Sequence, residues 1–314
     1  MKVIFMGTPD FAVPSLEAIV SAGHEVVGVV TQPDRARNRG VVSYCPVKSK
    51  AIELGLKVFQ YEKIRLEGKD ELRALGADVI VTCAYGQILD EELLSLAPFG
   101  VLNVHASLLP KYRGSSPIQW AVINGEKVTG ITVMKTALGV DTGDIMLQKE
   151  VAILPDETAG ELFDRLAVKG GEAIVEALAL AESGNARFTP QDESQATWFP
   201  MFTKDSGKID FSKSAEELVN FIRGTNPWPS AFCRLDGKLF KIWKARKLGA
   251  DEPSTRRYYA VGETATFFGK LCVACGKGEF LVLLEVQLEG GKRMTAEEFM
   301  RGHNDLNGVM LANE

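Results

Sequence analysis

An amide and an imidazole stand two residues apart in the stretch 100–114, GVLNVHASLLPKYRG. Gly100-Val101-Leu102 opens as a strand, and alternate side chains of a strand share a face. Asn103 and His105 are therefore expected to point the same way at its C-terminal end. Pro110, Lys111, Arg113 and Gly114 then predict an exposed, irregular loop. A second loop, Val140-Asp141-Thr142-Gly143-Asp144, supplies a carboxylate. An amide can donate to a developing oxyanion, an imidazole can move a proton near neutral pH, and a carboxylate can fix the imidazole's state. That set suffices for acid–base chemistry at a carbonyl and calls for no metal. Spacing alone does not separate Asp141 from Asp144, and position alone leaves His105 equally readable as a structural histidine. The other two histidines, His24 after a helix stop and His303 among polar residues, read as surface.

The elements that must hold these groups alternate in type. Residues 2–6 (KVIFM) are an apolar run ending at Gly7, the mark of a buried parallel strand. A helix at 14–22 has Pro14 near its first turn and Gly23 as its stop. Then follow a strand at 26–31, a helix at 46–54, a strand at 78–82, a helix near 90–96, a strand at 100–104, a helix near 117–124 and a strand at 129–134. Such alternation predicts an α/β fold with a Rossmann-like, doubly wound, mostly parallel sheet, its ligands at the C-terminal ends of the strands. Those ends carry Gly7-Thr8-Pro9-Asp10, Gln32-Pro33-Asp34-Arg35, Ala84-Tyr85-Gly86-Gln87 and the loop after Asn103. The first turn is not GxGxxG, and Pro9 removes a backbone N–H that a phosphate would use, so a dinucleotide site is not expected.

A long amphipathic helix is expected over 158–183, with Thr158 and Glu161 at capping-box spacing and Gly184 past its end. Residues 185–206 are polar and aperiodic, with Pro190 and Pro200, and read as a linker. A helix at 214–223 and strand-like runs at 231–235, 238–243, 258–261, 270–274 and 279–286 predict a small OB-like β-barrel. The expected organisation is thus a first domain over 1–184, a linker over 185–206 and a barrel over 207–314.

Length and composition agree: 314 residues suit two domains, and 46% hydrophobic with 25% charged residues is ordinary for a globular protein. No run approaches the about 20 apolar residues of a membrane span, and MKVIFMG enters a strand without a signal-peptide core, so export is not expected. Five scattered cysteines suggest a reducing compartment. Cys272 and Cys275 form a CxxC with no second ligand pair, which reads as two core thiols rather than a zinc site. Net charge is −5, yet residues 201–260 hold twelve Lys/Arg against seven Asp/Glu. That asymmetry points either to a nucleic-acid partner for the second half or to a solvated basic surface. The loop 32–45 holds Arg35, Arg37 and Arg39 on alternate positions, suited to phosphate contacts or to a mobile solvated loop.

Asn103-Val104-His105, then Ser107-Leu108-Leu109-Pro110, then Asp141 thirty-six residues after the histidine, resemble the folate-dependent formyltransferases. The resemblance implies that Asn103, His105 and Asp141 are catalytic. It also implies that Ser107, Leu108, Leu109 and Pro110, with Tyr85 and Gly86, lie against the tetrahydrofolate. Within the family the chain is similar, along nearly its whole length, to the branch that formylates methionyl-initiator tRNA. The similarity rests on Phe5-Met6-Gly7-Thr8-Pro9-Asp10-Phe11, Thr31-Gln32-Pro33-Asp34-Arg35, Gly114-Ser115-Ser116-Pro117-Ile118-Gln119, Asn226-Pro227-Trp228-Pro229 and Lys241-Ile242-Trp243-Lys244-Ala245. It implies 10-formyltetrahydrofolate as co-substrate and no metal. It also implies tRNA contacts from Arg35, Arg37, Arg39, Lys204, Lys241 and Lys244, and a cytoplasmic monomer with no membrane partner. One departure stands out: after Arg39-Gly40 the family often carries two lysines, and here stand Val41 and Val42. The competing expectations are a formyltransferase acting on a small amine (glycinamide ribonucleotide or nucleotide-sugar type), a formyl-folate hydrolase, and a non-catalytic tRNA-binding module.

Overall fold

A computed structural model describes residues 1–37, 41–249, 257–303 and 306–312. The chain divides into two compact units. The first comprises Met1–Pro117, Val128–Ala152 and Phe163–Phe199, and the second Ile118–Lys127, Ile153–Leu162 and Pro200–Glu314.

In the first unit the chain runs β1 (Lys2–Gly7), α1 (Val13–Ser21), β2 (Glu25–Thr31), a small antiparallel pair β3 (Ala36–Arg37) and β4 (Val41–Val42), α2 (Pro46–Glu53), β5 (Val58–Gln60), α3 (Lys69–Ala74), β6 (Val79–Cys83), α4 (Glu91–Leu94), β7 (Val101–His105) and β8 (Arg113–Gly114). After β8 the chain makes α5 (Pro117–Ile123), nearly all of it counted with the second unit, and the first unit continues with β9 (Val128–Lys135), β10 (Ile145–Ala152), most of α6 (Ala159–Glu182) and β11 (Trp198–Phe199). The seven-stranded sheet has the order β10-β9-β7-β6-β1-β2-β5. Strands β5, β2, β1, β6 and β7 are parallel. Val3, Ile4, Phe5 and Met6 are wholly buried, as a central strand covered on both faces requires. The order reverses between β1 and β6, and the crevice beyond their C-terminal ends is the place for a ligand.

Two strands depart from the parallel pattern. β9 runs antiparallel to β7, with His105 opposite Thr132, and β10 runs antiparallel to β9. The loop after β7 is tied to the strand's end, because Thr132 Oγ1 donates to Ser107 O at 2.6 Å and accepts from Leu109 N at 3.1 Å. That leaves only α5, seven residues long and about 10 Å by its rise, to carry the chain back, too little to return along the sheet. The connection from β7 to β9 therefore stays at the end where His105 sits. β9 finishes opposite Leu102, so the loop 136–144 must run back along the sheet to bring Asp141 to His105.

In the second unit, α7 (Ala215–Gly224) precedes β12 (Ala231–Leu235), β13 (Lys238–Lys247), β14 (Thr264–Phe267), β15 (Lys270–Ala274), β16 (Phe280–Leu288), β17 (Met294–Thr295) and α8 (Ala296–Gly302). The antiparallel sheet has the order β12-β13-β16-β15-β14, with β17 on β16. The C-terminal segment reaches both edges of that path, pairing Ala312 with Arg234 and Met310 with Glu263. Helix α7 begins with the capping box Ser214/Glu217 and packs Leu218 and Ile222 into a core with Phe240, Ile242 and Phe299. The run 258–261, expected as a strand, is not one. Tyr259 instead packs edge-on against Phe267 and Phe280, the chain turns at Gly262 with φ +87°, and the strand follows at Thr264–Phe267.

No helix among the described residues is long and apolar enough to cross a membrane.

Candidate active site

Asn103 and His105 lie on one face of β7, as alternation requires. Asn103 is half-buried, and its Oδ1 accepts a hydrogen bond from Thr82 Oγ1 at 2.8 Å across the β6–β7 pair, where Thr82 and Asn103 are register partners. That contact fixes the amide's rotation and leaves the Nδ2 end, with its two donors, to face the site.

His105 is 7% exposed, and its Nε2 lies 3.0 Å from Tyr112 O. A carbonyl only accepts, so Nε2 carries a hydrogen and Nδ1 is the nitrogen that takes up a proton. Asp141 Oδ1 lies 3.6 Å from that Nδ1, too long for a hydrogen bond but close enough to stabilise a positive ring. Asp141 Oδ2 accepts from Gly114 N at 2.8 Å. Of the two carboxylates in 141–144, Asp141 is the one that reaches the histidine; Asp144 is exposed.

The loops around these groups are held in unusual backbone conformations. Ala84, Tyr112, Ser116 and Asp141 all have positive φ, between +47° and +65°, a region costly to residues with a Cβ. Such strain persists only where neighbours enforce it. Gly143 is one place where the path demands glycine, since a Cβ there would overlap the carbonyl oxygen of Lys135. Gly143→Ala is expected to push the 136–144 loop, and Asp141 with it, off the histidine, lowering kcat by about tenfold or more while the melting temperature changes little. Steady-state kinetics beside a thermal melt checks this.

Ser107 is fully buried, and its hydroxyl donates to Lys111 O at 2.7 Å, so its side chain holds the loop itself. Leu109 N and O are both engaged, by Thr132 Oγ1 and Gln148 Nε2, while Leu108 and Pro110 are partly exposed. Tyr85 follows β6 with its ring buried; its hydroxyl has no partner among the described residues, and burial pushes the phenol above its ordinary range. Tyr85 O accepts from Thr8 Oγ1 at 3.3 Å and Gln32 Nε2 at 3.2 Å, tying together the ends of β1, β2 and β6; Gly86 follows with φ +83°.

Beside this junction a pocket of about 200 Å³ is lined by Thr8, Gln32, Pro33, Asp34, Arg35, Ser43 and Cys45. The Arg35 side chain is 72% exposed and 4.0 Å from Glu62. Arg37 is placed by its main chain on β3, and Arg39 lies outside the described residues. In the second unit, Lys204 and Lys244 are exposed, and Lys241 Nζ sits 5.4 Å from the Trp243 ring centre. All five cysteines are buried and none is in a disulfide; burial pushes the Cys83 thiol up to about 12. Among the described residues no group of three metal-ligating side chains occurs.

Sequence reasoning did not single out several residues that shape the site. They are Thr82, which turns Asn103; Tyr112, whose carbonyl orients His105; and Thr132 and Gln191. Arg113, expected in an exposed, irregular loop, is instead buried on β8 by its bonds to Gln191 and Glu193. Arg113 is 1% exposed and makes paired hydrogen bonds to Glu193 at 2.7 and 2.8 Å. The guanidinium holds the Glu193 carboxyl below its ordinary value of 4.5. A depressed carboxylate stabilises the fold above its unfolded pKa, and that contribution is lost as pH falls through the folded value. The melting-temperature gap between the wild type and Glu193→Gln is therefore expected to be full at neutral pH and to close on acidification below about pH 4. A gap unchanged at about pH 3 would contradict this assignment.

A mostly parallel α/β sheet that gathers an amide, an imidazole and a carboxylate at its strand ends, joined to an antiparallel β domain, is the arrangement of a carbonyl-transfer enzyme. The chain belongs to the formyl transferase family. It matches the family model described as formyl transferase over residues 1–178 and that described as formyl transferase, C-terminal domain, over residues 201–304. A methionyl-tRNA formyltransferase of Agathobacter rectalis is 49% identical over 305 residues, 96% of each chain. Another, from Lachnospira eligens, is 48% identical over 319 residues, 99% of each. A solved N-formyltransferase from Helicobacter canadensis, in complex with folinic acid and dTDP-3-aminofucose, superposes with a TM-score of 0.68 at 20% identity, covering 90% of this chain and 98% of that one. That likeness is one of fold.

Proposed function

We infer that this chain transfers the formyl group of 10-formyltetrahydrofolate to the α-amino group of methionyl-initiator tRNA. The strongest support is kinship over nearly the full length with methionyl-tRNA formyltransferases at 42–49% identity. Kinship extends through the second unit, which a small-amine formyltransferase of the single-domain kind does not need.

The amine attacks the formyl carbon, forming a C–N bond, and the carbonyl electrons move onto oxygen. Asn103 Nδ2 is the donor available to that oxyanion, because Thr82 occupies the other end of the amide. The attacking nitrogen must lose a proton and the folate nitrogen must gain one. His105 Nδ1 takes the first and returns it to the second; the oxyanion pair re-forms the carbonyl as the C–N bond to the folate breaks, its electrons leaving with the protonated nitrogen. No net proton is consumed. Asp141 steadies the imidazolium formed in between. The loop Ser107–Pro110, with Tyr85 and Gly86, is assigned to the folate.

Residues 1–184 carry the chemistry and 207–314 the grip on tRNA. Lys204, Lys241 and Lys244 contribute from the second unit, and Arg35, Arg37 and Arg39 from the loop after β2. With Val41 and Val42 where the family often has lysines, the loop's cation set is reduced to its arginines. The reading includes a monomer in the cytoplasm, where five cysteines outside any disulfide are at home.

Labelled 10-formyltetrahydrofolate offered with initiator and with elongator methionyl-tRNA tests the reading. Formylation of the initiator species alone is expected. Equal formylation of both, or of neither, would overturn it.

A further inference from the structure

Residues 189–199 sit inside the polar, aperiodic stretch 185–206, and they are bonded at both ends to the site. At one end Thr189 pairs with Ile145, at the base of the 136–144 loop. At the other, β11 pairs with β8, placing Trp198 opposite Arg113 and Phe199 opposite Gly114. Between these anchors, Gln191 Nε2 donates to Asp141 O at 2.9 Å and Gly143 O at 2.7 Å, and Gln191 Oε1 accepts from Arg113 Nε and Nη2 at 3.1 and 2.8 Å. Thr197 Oγ1 accepts from Tyr112 N at 2.8 Å, and Phe199 stacks on the Tyr112 ring at 4.9 Å.

We propose that 189–199 is a positioning strap for the catalytic pair, with Gln191 its central residue. One segment fixes both partners. Gln191 pins the main chain on either side of Thr142 and so sets where the Asp141 carboxylate stands. Thr197 and Phe199 hold Tyr112, whose carbonyl sets which nitrogen of His105 is protonated. Arg113 ties the two halves together through Gln191 and Glu193. Neither Gln191 nor Thr197 touches the reacting atoms; each acts through another residue. Side-chain amides that satisfy main-chain carbonyls leave no hydrophobic period, so the segment reads as a linker by composition alone.

This inference rests on the formyl-transfer reading, and one replacement separates support of the chemistry from support of the fold. Gln191→Glu keeps an acceptor for Arg113, and as a carboxylate a stronger one, but has no N–H to give to Asp141 O and Gly143 O. A purely structural role tolerates that change. A positioning role does not: kcat is expected to fall by about 10²-fold, the usual cost of a displacement near 1 Å, with KM for both substrates within about threefold and the thermal midpoint held. Thr197→Val, which removes the acceptor for Tyr112 N and leaves Gln191 in place, is expected to show the same split between kcat and KM. Wild-type kcat in folded Gln191→Glu, or activity in both variants that falls only in step with their folded fraction, would overturn the proposal. The wild-type control keeps the two claims apart. No formyl transfer by the wild type defeats the reading, whereas normal wild-type transfer with an indifferent Gln191→Glu defeats only the strap.

Discussion

His105→Ala is expected to lower kcat by about 10²–10⁴-fold, the range for loss of a positioned acid–base group, with folate affinity changed little. The reasoning is geometric. Nε2 is spent on Tyr112 O, so the ring has one nitrogen to offer, and Asp141 stands beside that one. No other side chain takes over. The remaining histidines are elsewhere in the chain, Cys83 is buried with its thiol pushed up to about 12, and Ser107 is occupied with Lys111 O. Single-turnover kinetics with saturating 10-formyltetrahydrofolate measures this step without interference from product release. Near-wild-type turnover would remove His105 from the mechanism.

Asn103→Ala is expected to cost about 10²–10³-fold in kcat, the usual value of one oxyanion donor. The Thr82 contact sharpens this into a graded pair. Thr82→Val removes the bond that fixes the amide's rotation but keeps the amide, so its loss is expected to be smaller than that of Asn103→Ala. In the double variant Asn103→Ala with Thr82→Val, the second change is expected to add nothing, because Thr82 acts on the reaction only through Asn103. Additive losses in that cycle would assign Thr82 a separate role.

What could be read from the sequence follows from what leaves a local pattern. Asn103 and His105 are two apart on an apolar strand, and period two alone puts them on one face. The parallel strands β1, β2, β6 and β7 announce themselves as apolar runs closed by turns. Asp141 was different: spacing could not separate it from Asp144, and the family pattern supplied the choice. Tyr112 was invisible because it contributes a carbonyl, which every residue has. Thr82 and Gln191 were invisible because their partners lie 21 and 50 residues away, distances at which sequence carries no periodic signal.

The antiparallel turn of β9 has a similar cause. A helix between two apolar runs reads as a crossover, and only the bonds of Ser107 and Leu109 to Thr132 show that the chain after β7 stays at that end of the sheet, leaving the seven-residue helix too short to make one. In the second unit, the paired tyrosines at 258–259 carry strand propensity, yet Tyr259 serves as a packing ring against Phe267 and Phe280 while the strand is built from the shorter Thr264–Phe267.

Following the fate of the formyl carbon tests the central claim most directly. Carbon-labelled 10-formyltetrahydrofolate is incubated with the protein in the presence and absence of methionyl-initiator tRNA, and label is counted on the methionyl amine and as free formate. The expected result is label on the amine in one-to-one proportion with tetrahydrofolate formed, and almost none as formate when the acceptor is omitted. Formate released at the same rate with or without the tRNA would contradict it and mark the chain as a formyl-folate hydrolase.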